Sequence, residues 1–235
     1  WAALGNAGGS YEEVLPYFVK SEGNARGAFP GHGADGPLKV SDIGAQHPLI
    51  EAFIAGAGQV GVPRTEDFNG RDQEGAGYYQ LTTHKGLRCS TAKAYLGEAR
   101  RRPNLRIETD AMATQLVLRG RRATGIRYRQ GGQERQAQAR AEVILSAGAI
   151  QSPQLLQLSG IGPAALSQSL GIPVVHDLPG VGENLQDHLQ IRLGYECSQP
   201  ITTNDQLNSW VGRTKLGLEW LLFRSGALAV GINQG

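Results

Sequence analysis

From residue 105 onward, apolar and polar positions alternate with a period of two through LRIET, ATQLVLR, ATGIRYR and ERQAQAR, separated by GRR and GG. Alternation puts every second side chain on one face of a pleated strand, and the glycines supply the turns. The pattern predicts a small antiparallel meander. The chain then enters AEVILSAG, whose unbroken apolar core at 143–145 predicts a strand covered on both faces. At GAIQSPQLLQLSG the spacing becomes helical. Ser152 reads as an N-cap, Pro153 as the first helical residue and Leu155, Leu156 and Leu158 as the apolar side, with Ser159-Gly160 as the stop.

The same reading extends along the chain. Ser10 and Glu13 form a capping box that starts a helix interrupted or kinked at Pro16. Residues 21–37 are a glycine-rich loop, and 38–41 a short strand. A helix starts near Pro48, with Leu49, Ile50, Phe53, Ile54 and Ala57 on one side, and stops by Gly61. YYQLTT at 78–83 predicts a strand and 82–86 a turn, and a helix runs from Ser90 to about Arg101. Beyond the central helix come a second one at 163–170 stopped by Gly171, the strand IPVVHDL, the loop PGVGENLQDH and the alternating LQIRLGYEC. A last helix over about 205–224 puts Leu207, Trp210, Val211, Leu218, Leu221 and Leu222 on one stripe.

Composition narrows the classes. The 235 residues suffice for one large domain or two modest ones, and 40% hydrophobic with 19% charged residues describes a globular protein. A net charge of +2 gives no reason to expect nucleic acid. The one dense basic run, Arg100-Arg101-Arg102, closes a helix, where cations complement the dipole. Five histidines (32, 47, 84, 176, 188) show no ligand spacing, so no metal is expected. Cys89 and Cys197 stand alone, which suits a reducing compartment. The most apolar segment, LEWLLF at 218–223, is too short to span a bilayer. These features predict a cytoplasmic protein, or one peripheral to a membrane.

A strand that ends on a glycine facing a helix N-terminus has two readings. It is ordinary α/β packing, or it seats an anionic ligand against backbone N–H groups and a positive dipole end. Gly148 would then lack a side chain because the ligand passes close to the backbone.

The residues around that corner resemble a known family. GAIQSPQLLQLSGIG, through Gly148, Ala149, Ser152, Pro153, Leu155, Leu156, Ser159, Gly160, Ile161 and Gly162, is similar to the second signature of the glucose–methanol–choline (GMC) oxidoreductases, flavoenzymes that oxidise alcohols with FAD. SYEEVLPYFVKSE, GPLKVSD, DFNGRDQEGAGYYQ, STAKAYL, RRPNLRIETDA, GIPVVHDLPGVGENLQDHLQIR and LGLEWLLFRSG also look like family segments, in the family's order. Among subfamilies the resemblance is to bacterial choline dehydrogenase-like and alcohol dehydrogenase-like members. It implies an α+β (mixed α/β) fold: part of an FAD-binding Rossmann-like domain with its meander, plus part of an antiparallel-sheet substrate domain. The implied division is 1–37 as a linking helix and loop, 38–88 as substrate-domain segment, 89–188 as FAD-binding segment and 189–235 as substrate-domain segment.

The resemblance also implies roles. Ala113 stands where the family's strand gives adenine a backbone donor and acceptor, although a plain inward strand position reads equally well. Ser146, Ala147 and Gly148 would lie against the adenosine half of FAD. Of Tyr78, Tyr79 and Gln80, alternation lets only one tyrosine face an alcohol pocket, and Tyr79 is the candidate, with an ordinary sheet position as the competing reading. Gln190 stands where choline-acting relatives tend to carry a carboxylate; a neutral amide points to an uncharged primary alcohol. The implied reaction is hydride transfer from the alcohol carbon to flavin N5, with electrons passing on to a quinone, another carrier or oxygen. The family's G-x-G-x-x-G unit and its catalytic histidine are not found in this sequence, so the chain is expected to be the central portion of the enzyme. His84 and His188 then have structural roles. The edge left beside EVILSAG should favour self-association. The rival reading is a non-catalytic remnant that binds a nucleotide or a partner.

Overall fold

The computed structural model of the protein describes residues 1–191 and 194–229. They form two compact units: residues 1–105 with the segment from Tyr195 onward, and Arg106–Gly194. The boundary near 105 groups residues 89–105 with the first unit rather than with the central segment. Helices alternate with small sheets, two parallel and two antiparallel among the described residues, as expected for a mixed fold.

In the first unit, Ser10 Oγ accepts from the Glu13 N–H at 3.3 Å and Glu13 Oε2 accepts from the Ser10 N–H at 3.1 Å. This reciprocal cap starts α1, Tyr11–Ser21, which continues past Pro16 rather than being interrupted there. The glycine-rich segment is not all loop. Glu22–Asn24 (β1) pairs in parallel with Leu38–Val40 (β2). The segment between them folds back so tightly that a Cβ on Gly33 would lie 1.9 Å from the Val19 carbonyl oxygen. Helix α2, Pro48–Gln59, is capped by the His47 ring and buries Ile54.

The strand expected at 78–83 shrinks. Residues 78–80 have no regular structure, Leu81 makes a single bridge to Ser41, and the hairpin proper is Thr83–His84 (β3) with Leu87–Arg88 (β4). Its turn is Lys85-Gly86, both with positive φ. The helix expected from Ser90 runs without a break over 91–99, with a π-helical stretch at Ala92–Leu96 followed by Gly97–Ala99 (α3).

In the second unit the meander has three strands: Ala111–Arg119 (β5), Arg122–Gln130 (β6) and Gln133–Gln138 (β7), in the order β5-β6-β7. LRIET lies outside it, because Gly120 and Gly131-Gly132 give turns that close only two hairpins. The segment at 142–146, expected to be a buried strand, has no regular structure and no ladder partner among the described residues, and Ile144 is 75% exposed. An extended stretch becomes a strand only when its N–H and C=O groups find a neighbour.

Helix α4, Gly148–Leu158, begins earlier than Ser152-Pro153 suggested. Ser152 Oγ instead accepts from the Ala147 N–H at 3.0 Å, inside the helix. Pro153, having no N–H, leaves one i→i−4 bond unmade. The glycine stop at Gly160, with φ +78°, is as expected. Ile161–Gly162 (β8) pairs in parallel with His176–Asp177 (β9), and Ala164–Ser169 (α5) lies between them. Of LQIRLGYEC, residues 192 and 193 lie outside the described residues, and the remainder forms no strand.

The last helix is two, Thr203–Asn208 (α6) and Trp210–Phe223 (α7), because Ser209 is extended and caps α7 through the Gly212 N–H. The expected stripe faces outward. Leu216 is the buried leucine of α7, while Trp210 and Leu222 are exposed.

Candidate functional site

The strand–glycine–helix corner forms one wall of a groove in the second unit. β5 is an edge strand, and its pairing with β6 skips a residue between Ala113 and Gln115, leaving Thr114 as a bulge. Bulges bend the strand and re-aim its groups. Opposite runs α4, packed on β5, with Leu116 of the strand and Leu155 of the helix both buried. Between them opens a cavity of about 1020 Å³, lined on the strand side by Asp110, Ala113 and Thr114 and on the helix side by Ala147, Gln151 and Gln154. Small-molecule sites are typically about 300–1,000 Å³, so the groove has room for a nucleoside.

The structure thus brings Ala113 and Ala147 to one cavity although they are far apart in sequence. Ser146 and Gly148 flank Ala147 along the chain and are exposed, without lining the cavity. Gly148 has φ +91° and nothing within 4 Å of where a Cβ would stand. Its backbone conformation therefore requires glycine, whatever lies above it. No acidic residue occupies the first turn of α4, and its N-terminal N–H groups retain their positive end. Sequence reasoning missed Asp110, Thr114, Gln151 and Gln154. The two glutamines were within reach, since i and i+3 share a helix face.

Gln190 is exposed at the end of a segment without regular structure. His188 is exposed in that same segment, its N–H donating to Asp187 Oδ1 at 2.8 Å.

The first unit holds Tyr79. Its ring packs against Phe68 with centroids 4.9 Å apart, in an apolar pocket of about 610 Å³ that also includes Phe53, Val60 and Ala76. Tyr78 points elsewhere, as alternation requires. Its hydroxyl is buried with no hydrogen-bond partner among the described residues, and burial, then the Glu51 carboxylate, push its phenol pKa up. Glu51 itself is held below the usual carboxylate range by its hydrogen bond from Arg64, 3.1 Å away.

Gln80 turns from the pocket into a polar hub. Its amide and that of the buried Asn24 bond reciprocally at 2.9 and 3.2 Å, and Gln80 Nε2 also donates to Asp42 Oδ1 at 2.8 Å. Asn24 Nδ2 further donates to Glu22, which faces His32 Nδ1 at 2.9 Å. His32 is buried, stacks on Phe29 at 4.1 Å and faces Asp67 with its other nitrogen at 3.3 Å. Nothing in the spacing of these residues pointed to the hub.

Comparison with known proteins places the chain. The GMC oxidoreductase family profile matches residues 1–190. The oxygen-dependent choline dehydrogenase of Chromohalobacter salexigens is 50% identical over 218 residues, covering 92% of this chain and 39% of that protein. The Pseudomonas entomophila protein of the same name is 48% identical, covering 96% of this chain and 41% of that one. The chain therefore spans about two fifths of these relatives' length. Among solved structures, an FAD-dependent oxidoreductase from Chaetomium thermophilum superposes with a TM-score of 0.88 at 29% identity, over 98% of this chain and 43% of that one. Pyridoxine 4-oxidase from Mesorbium loti gives 0.71 at 35% identity, over 76% and 35%. A profile match over most of the chain, a shared fold and near-half identity agree: the chain belongs to the GMC oxidoreductase family.

Proposed function

We propose that this chain contributes the adenosine seat, and one wall of the substrate site, to an enzyme that oxidises the CH–OH group of a primary alcohol with FAD. The observation that carries the reading is the groove that joins Ala113 to Ala147. The outer edge of β5 offers main-chain donors and acceptors suited to an adenine edge at Ala113, and there the side chain matters little. Ala147 presents the start of α4 to the ribose and phosphate side, with Ser146 and Gly148 beside it outside the cavity lining, and Asp110 supplies an acceptor for a ribose hydroxyl. FAD, when bound, supplies the two-electron acceptor for the alcohol's hydride, and a quinone, another carrier or oxygen takes the electrons onward. Tyr79, with Phe53 and Phe68, gives an apolar surface that excludes water from a carbon chain. The reading as a non-catalytic nucleotide- or partner-binding module is not favoured by the family assignment.

Two substrate classes remain distinct. Gln190 carries no charge, so a trimethylammonium group beside it would lose solvation without an ion-pair partner, and this favours a neutral alcohol. The choline dehydrogenases among the relatives favour choline. In the whole protein, the ratio of kcat/KM for choline to that for a neutral primary alcohol decides between them. Gln190→Glu is expected to raise that ratio about tenfold. An unmoved ratio removes Gln190 from the substrate site, and no turnover of either alcohol with FAD and an artificial acceptor overturns the functional reading.

A further inference from the structure

We propose that Ser159 is a positioning residue that sets the geometry of the β5–α4 groove for the adenosine half of the dinucleotide. This rests on the cofactor reading above and adds a residue that does not line the groove at all. Ser159 is 4% exposed, at the C-terminal cap of α4. Its hydroxyl donates to the Leu155 carbonyl at 2.6 Å and accepts the Leu116 N–H at 2.8 Å. Gln115 Nε2 adds a second bond, to the Leu158 carbonyl at 3.3 Å.

The positions of these bonds matter. The groove uses residues 110–114 of the strand side and extends along the helix to Leu158. The two stitches begin at the very next residues, 115 and 116 on β5 and the 158–159 end of α4. Strand and helix are thus fastened to each other directly beside the groove. The bulge at Thr114 lies at the fastening point, so fixing residues 115–116 also fixes the direction in which 110–113 depart. Leu155, whose carbonyl Ser159 holds, is itself a wall of the groove.

A hydroxyl suits both bonds at once: its single proton goes to Leu155 and a lone pair receives Leu116. Alanine would leave the N–H of the buried Leu116 without a partner on a strand edge that has no neighbouring strand among the described residues. The edge would then shift to find another acceptor, and the groove would shift with it.

The test uses the whole protein, isotopically labelled and freed of FAD, with ADP as the probe for the adenosine half. ADP is expected to shift the amide resonances of Ala113 and Ala147 in the wild type. Ser159→Ala is expected to remove exchange protection at the Leu116 amide and to weaken ADP binding about fivefold, or 1 kcal/mol at about 1.4 kcal/mol per decade. Ser159→Thr, which keeps the hydroxyl, is expected to return affinity to within about twofold of wild type. Ser167→Ala, at another buried serine of the same unit, controls for general loss of stability and should leave ADP affinity unchanged. Gln115→Ala cuts the lesser stitch, together with the bond that Arg127 Nη1 donates to Gln115 Oε1 at 3.1 Å, and should weaken ADP about twofold; it serves if Ser159→Ala does not fold. A folded Ser159→Ala chain that loses Leu116 protection yet binds ADP as the wild type does overturns the positioning role alone, as does an unchanged Gln115→Ala chain where Ser159→Ala cannot be read. A wild type that shows no ADP response at Ala113 and Ala147 overturns the cofactor reading, and this assignment with it.

Discussion

The meander and the segment at 142–146 carry equally clear strand patterns, and only one of them is a sheet. β5, β6 and β7 find their partners through turns of two residues, so every ladder is completed by chain that lies next to it. The 142–146 segment, with the more apolar pattern, has no partner among the described residues and leaves Ile144 at 75% exposure. Alternation and apolarity state which conformation a segment suits; a neighbour decides whether that conformation becomes structure.

Substitutions can break the comparison from either side. The largest effect is expected at Gly125 in β6, where a Cβ would stand 2.3 Å from the Ala137 carbonyl oxygen of β7. Gly125→Val should force the two strands apart and destabilise the second unit by about 3 kcal/mol, read from urea unfolding. A smaller loss, about 1–2 kcal/mol, is expected for Gly148→Ala, because alanine at φ +91° is strained although the space is empty. Thermal melts of the pair would show whether the corner is fixed by backbone conformation rather than by crowding. Ile144→Lys should change stability by less than about 0.5 kcal/mol, since no ladder is lost. We propose that the uncovered segment drives self-association, so the same variant should shift sedimentation towards monomer, whereas an unchanged distribution would place the contact elsewhere.

The smallest effect concerns one helical turn. Hydrogen bonds from the Thr202 hydroxyl and then its N–H hold Asp205 below the usual carboxylate range. A carboxylate depressed in the folded state stabilises above its unfolded pKa and loses that contribution as pH falls through its folded pKa. The protection factor of the Asp205 amide, which donates to Thr202 Oγ1 at 3.2 Å, should therefore fall below pH ~4 in the wild type. Asp205→Asn should show no such acid dependence.

The sequence was legible where causes were local. The Ser10–Glu13 box, the Gly160 and Gly171 stops and the two hairpin turns of the meander depend on residues within one turn of each other. Ser152-Pro153 misled because a serine followed by proline looks the same at an N-cap and one turn inside a helix. Only the Ala147 N–H that Ser152 accepts distinguishes them. The groove was half legible: the family pattern marked Ala113 and Ala147 separately, while their meeting depends on the α4–β5 packing and on a bulge that no periodicity announces.

The Asn24–Gln80 amide pair has a consequence for the order in which the molecule assembles. The meander closes loops of a few residues, whereas this pair must bring together positions 56 apart before either amide gains anything. Closure entropy for such a loop is spent ahead of any compensating contact, and long-range closure is what slows folding. In pulse-labelled refolding the β5–β6 amides should be protected early. The backbone around Asn24, the Arg26 N–H bound to its side chain included, should be protected only in the final phase, so the hub acts as the seal on the first unit rather than its nucleus.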